Sequence, residues 1–124
     1  MATDDGIDEV RWRAAALRAR AGSLEDRSGR ARELACDLGR RRDTLAGRLD
    51  GVRARHVGAV WTSAAADRSR RILADEVGFG VWLALHDLGE TIRALAGAAG
   101  GWDEAARLAR REAETAAGSL DSPP

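Results

Sequence analysis

VRWRAAALRARAGSLEDRSGRARELACDLGRRRDTLAGRLDGV, residues 10–52, carries an apolar residue at every seventh position: Val10, Leu17, Leu24, Ala31, Leu38, Leu45 and Val52. A second row interleaves with it: Ile7, Ala14, Ala21, Ser28, Ala35, then Arg42, then Leu49. The alternating four-three spacing makes a narrow apolar seam of coiled-coil type. The second row is built mostly of small side chains, so a partner helix can approach closely along the first half. The phase does not slip at Gly22 or Gly29, where a chain break would reset it. One helix is therefore expected over 7–56, despite interior glycines at 22, 29, 39, 47 and 51. Each glycine costs about 1 kcal/mol against alanine, so packing must hold the helix. Asp5 is the expected N-cap, with Asp8 and Glu9 suited to the positive end of the dipole. Residues 1–6 form an N-terminal tail.

The same logic repeats downstream. Val81, Leu88, Leu95, Trp102, Ala109 and Ala116 lie seven apart, as do Leu85, Ile92, Ala99, Ala106, Ala113 and Leu120. A second helix is expected over 64–117, with Gly118 as C-cap and a disordered tail over 118–124. Between the helices, residues 57–63 carry no charge and include Gly58, and Thr62 or Ser63 can cap the second helix. Two nearly equal arms with matching seams and a short link predict an all-α, coiled-coil-like antiparallel hairpin. The alternative is a four-helix bundle broken at Gly22 and Gly100-Gly101, and heptad continuity argues against it. A turn centred near 61 and 62 makes facing residue numbers add to about 123. Leu38 then meets Leu85, Ala31 meets Ile92, Leu17 meets Ala106, and Trp102 falls opposite Ala21 and Gly22, the glycine leaving room for the indole.

Composition excludes several functions. The basic residues are all arginine, and they balance the acidic ones to a formal net charge of +0. A nucleic-acid binder gains affinity from a net basic surface, which is absent here, so no nucleic acid is expected as a partner. Arg40-Arg41-Arg42 and Arg70-Arg71 read as solvated helix faces. Asp4, Asp5, Asp8 and Glu9 stand where a leader would be basic, and Val77–Leu85, the longest strongly apolar stretch, is too short to span a bilayer. The expected site is the cytoplasm, and any exit would not use a cleaved leader. Cys36 is alone, and neither it nor His56 and His86 have metal-type spacing. With no phosphate loop and no Gly-x-Ser-x-Gly, no catalytic residue, metal or cofactor is expected, and the chain reads as non-enzymatic.

A two-helix hairpin buries little surface per residue, so dimerisation into a four-helix bundle is expected. The hairpin seam is assigned to Val10, Leu17, Leu24, Ala31, Leu38, Leu45, Val52, Leu88, Ile92, Leu95 and Trp102. Val77, Phe79, Val81, Trp82, Leu83 and Leu85 would otherwise leave an apolar band exposed, and they are the candidate partner interface. Leu34 and Leu73 also fall off the main seams.

Trp61, Thr62 and Ser63, followed by Ala64-Ala65-Ala66-Asp67-Arg68, lie at the midpoint of the two seams. Two antiparallel helices joined by a Trp-x-Gly turn are the pattern of the WXG (ESAT-like) proteins of type VII secretion, and this chain resembles them. The likeness covers the hairpin in architecture but only this turn in motif, and Ser63 replaces the motif glycine. The family's C-terminal export signal is a tyrosine four residues before an acidic residue, and this chain has Tyr 0. The resemblance implies a small secreted substrate or a co-secreted partner. It would act as a homodimer or a heterodimer with another small helical protein, with Trp61, Thr62 and Ser63 read by a secretion ATPase. The alternative is an intracellular helical adaptor or chaperone-like module with no export role.

Overall fold

The computed structural model describes residues 4–58 and 64–121. Helix α1 runs Asp4–Gly58 and helix α2 Ala64–Ile72; a π-helical turn, Leu73–Val77, leads into helix α3, Gly78–Asp121. Among the described residues there is no strand. α1 and α3 pack against each other.

α1 is unbroken through all five interior glycines, and α3 through Gly100 and Gly101, as the uninterrupted phase predicted. Boundaries differ from expectation. Asp5 lies within the first turn of α1 rather than outside it as a cap, and α1 ends at Gly58 rather than near His56. Gly118 is no C-cap: no described glycine has positive φ, and α3 continues to Asp121. The Ser119 hydroxyl donates to the Ala116 carbonyl at 2.7 Å inside that last helical stretch. The disorder expected at 122–124 lies outside the described residues.

The chain divides into two compact units, residues 1–33 with 95–124, and residues 34–94. In the first, the buried apolar residues are all alanine: Ala14, Ala21, Ala31, Ala99, Ala106, Ala109 and Ala113, with Ser28 the buried polar member. Every one belongs to the four-three rows. Ala21, Ala106 and Ala109 form one cluster, with Leu17 and Leu24 packed against it. Alanine between helices lets the axes approach to the short end of the usual range, about 8 Å. The cost is a thin core, because each buried methyl contributes only about 0.8 kcal/mol.

The two helices run antiparallel here, since Glu25 pairs with Arg110 and Arg32 with Asp103. Arg110 grips Glu25 with both prongs of its guanidinium, Nε to Oε1 at 2.7 Å and the terminal nitrogen to Oε2 at 2.8 Å. Arg32 reaches Asp103 at 2.6 Å and also donates to the Ser28 hydroxyl. These contacts correct the expected register. Trp102 lies not opposite Ala21 and Gly22 but under the guanidinium of Arg27, 5.7 Å from its ring centroid. It is partly buried rather than enclosed, and a Cβ on Gly22 would meet nothing within 4 Å. In the seam itself Ala21 clusters with Ala106 and Ala109, numbers that add to 127 and 130 rather than 123, a slide of up to one heptad, to which a seven-residue repeat is blind.

The pairing makes stability pH-dependent. The Ser28 hydroxyl first, and then Arg32, hold the Asp103 carboxyl below its ordinary 3.8. Arg110 does the same for Glu25, below 4.5. A carboxyl depressed in the fold stabilises it fully above the ordinary value, and that stabilisation fades as pH falls through the depressed one. Thermal melts followed by circular dichroism should show a lower midpoint at about pH 3 than at neutral pH. The variant Glu25→Gln with Asp103→Asn should flatten that difference; an unchanged difference would show that other carboxylates govern it.

Candidate partner-binding face

In the second unit, residues 34–94, the seam rows keep their inward side: Gly78 is buried, and Val81, Leu85, Leu88 and Ile92 are partly so. On α1, Leu38, Leu45 and Leu49 are partly buried, but Val52, assigned to the seam, is 37% exposed. Arg42 interrupts the apolar row. Its guanidinium passes across Gly89, 3.8 Å from where a Cβ would stand, so the long side chain leaves the seam over a residue with none.

The π-helical turn explains why the rows begin only at Gly78. A π turn holds one residue more than an α turn and shifts the helix face. Heptad steps back from Val81 and Leu85 reach Asp67 and Arg71, which are exposed, whereas Ser69 and Arg70 are partly buried. The face has moved across the turn.

What the seam turns inward leaves a band outside. Phe79 is 59% exposed, Trp82 57%, Val77 44% and Leu83 40%. Phe79, Trp82 and His86 stand three and four residues apart on one helix face and stack as a ladder. Their ring centroids are 6.2 and 5.5 Å apart and the planes within 16° and 12° of parallel. Of the six residues assigned to the partner interface, Val77, Phe79, Trp82 and Leu83 are on this exposed band. Val81 and Leu85 are partly buried with the seam. Sequence reading missed His86, although its spacing from Trp82 placed it on the same face.

Charge around the band is one-sided. Between Ile72 and Ile92 the sequence has no arginine but holds Asp75, Glu76, Asp87 and Glu90, all exposed, with Glu90 paired to Arg93 beyond. The surface is thus aromatic, with acidic residues beside it on its own helix and the Arg42 guanidinium of α1 crossing at Gly89. It offers rigid contact area at small entropic cost, the composition of protein-binding anchors.

Other candidates are spare. Cys36 is exposed. Among the described residues no group of His, Cys, Asp and Glu is placed to hold a metal ion, and no helix is long and apolar enough to cross a membrane. Trp61, Thr62 and Ser63, the turn assigned to secretion recognition, lie outside the described residues. No family model matches the chain, and no curated protein or solved structure matches it.

Proposed function

We propose that this chain is a helix-pairing protein, and that the exposed Phe79–Trp82–His86 ladder is where its partner docks. The ladder carries the reading: three stacked rings on the solvent side of α3, beside Val77 and Leu83, have no counterpart in a thin alanine seam. The fitting partner is a helix with an apolar stripe bordered by arginine or lysine, which meets the acidic border with opposite charge. A heterodimer with another small helical protein satisfies this, completing a four-helix bundle; in a homodimer the ladder of one copy would have to seat on an arginine-bearing face of the other, because ladder against ladder sets acidic borders together.

The setting we propose is type VII secretion, with the chain as a WXG-like substrate or co-secreted partner. Support comes from Trp61-Thr62-Ser63 in the link between two paired helices. An indole between the two helices in sequence suits recognition by a secretion ATPase, because it gives large contact area with little side-chain freedom to lose. The expected result for Trp61→Ala is a folded protein, by circular dichroism, that is no longer exported in its native host with its small helical partner co-expressed. Normal export would leave the turn as structural punctuation. The lack of any tyrosine for an export signal favours a second reading, an intracellular helical adaptor. A neighbouring gene for a secretion ATPase would separate the two.

A further inference from the structure

A seven-residue apolar repeat holds two helices side by side but does not say how far along each other they lie. Slide α3 by seven residues against α1 and every seam residue again faces a seam residue. In residues 1–33 and 95–124 the buried apolar members of the seam are all alanine, with larger side chains such as Leu17, Leu24 and Trp102 only partly buried beside them, so the innermost packing distinguishes neighbouring alignments poorly. Something else must choose.

Four charges stand at that same spacing beside the seam. Glu25 and Arg32 are seven apart on α1, and Asp103 and Arg110 are seven apart on α3. The residue numbers of each contacting pair, Glu25 with Arg110 and Arg32 with Asp103, add to 135, so both pairs report one alignment. In each of these two sets the acidic residue precedes the basic one, so antiparallel packing pairs opposite charges, and a slide of seven sets like against like. One heptad in one direction brings Glu25 to Asp103 and Arg18 to Arg110. One heptad in the other brings Arg32 to Arg110 and leaves Glu25 against Ala117. Either slide replaces two attractive contacts with repulsion. Ser28 adds to the choice: it is 1% exposed and bonds both Arg32 and Asp103, and a slide of the first kind takes the Asp103 carboxylate away.

We propose that Glu25, Arg32, Asp103 and Arg110 form a register lock, which selects one heptad alignment of α1 and α3 from a seam that accepts several. Its contribution is to specificity, because half-exposed pairs stabilise little in themselves. The lock holds whatever partner the chain takes, since it fixes the hairpin that presents the partner face.

Disulfide trapping tests it. In a Cys36→Ala background, Ala21→Cys is combined in turn with Ala99→Cys, Ala106→Cys and Ala113→Cys, three seam positions one heptad apart. With native charges, oxidation should trap the 21–106 pair. Exchanging the α3 charges, Asp103→Arg with Arg110→Asp, should move trapping to 21–99. There Glu25 meets the new arginine and Arg18 the new aspartate. Adding Glu25→Arg and Arg32→Glu should restore 21–106. If the α3 exchange alone unfolds the chain, recovery of both helicity and the 21–106 bond in the fourfold variant supports the lock. Undiminished 21–106 trapping after the α3 exchange, or failure of the fourfold variant to restore it, overturns the proposal.

Discussion

Replacing Gly22, Gly29, Gly39 and Gly47 together by alanine should stabilise the fold by about 4 kcal/mol, since each helix-interior glycine costs about 1 kcal/mol against alanine. All four lie inside α1, none has a positive φ, and a Cβ built on any of them meets nothing within 4 Å. The substitution adds a methyl without a clash and removes backbone freedom from the unfolded chain. In a chain of this size the thermal midpoint should rise on the order of 10 °C or more. Thermal melts of the fourfold variant measure it. An unchanged or lowered midpoint would mean that the glycines relieve a contact made only in an assembly. A raised midpoint with weakened pairing would place a partner helix against α1 at those positions.

The second large effect belongs to the aromatic ladder. Trp82→Ala should weaken pairing by about 30-fold or more, because a central interface tryptophan is commonly worth 2 kcal/mol or more. The hairpin itself should persist, as Trp82 is 57% exposed and its stacking partners, Phe79 and His86, are on its own helix. Titration calorimetry with the partner, or dilution of the homodimer, gives the affinity, and circular dichroism reports the fold. Undiminished affinity in a folded variant would move the docking surface elsewhere, and loss of helicity would show that the ring supports its own unit.

The helices and their inward faces were legible because a four-three repeat is a property of one helix at a time. It survives glycine, so α1 could be read through Gly22 and Gly29 as one element. Register was not legible for the same reason: a repeat of seven is unchanged by a slide of seven. The residues that decide it, Glu25, Arg32, Asp103 and Arg110, are charged and stand outside the apolar pattern, so attention to hydrophobicity passes over them. Their signal was present as the same acid-then-base order at heptad spacing in both helices, which antiparallel packing turns into two opposite-charge pairs. The π-helical turn at Leu73–Val77 left no mark that propensity can detect, because it changes the number of residues per turn rather than their type. Gly118 misled because a glycine near a helix end also serves inside a helix when the chain beyond it stays helical to Asp121. The partner band was legible as an apolar excess, but its border with the seam was not. Val81 and Leu85 lie on the seam rows and Phe79 and Trp82 do not, yet the apolar run reads in sequence as one partner band, which the packed structure divides along those rows.

The central claim is that this chain works by pairing through the outer face of α3. Light scattering at micromolar concentration tests it most directly, on the 13.2 kDa chain alone and mixed with small helical proteins encoded beside it. The account predicts a two-chain mass in at least one of these samples, reverting to the single-chain mass when Trp82→Glu is introduced. A cooperatively folded single chain in every sample, or a two-chain mass indifferent to Trp82→Glu, would contradict it.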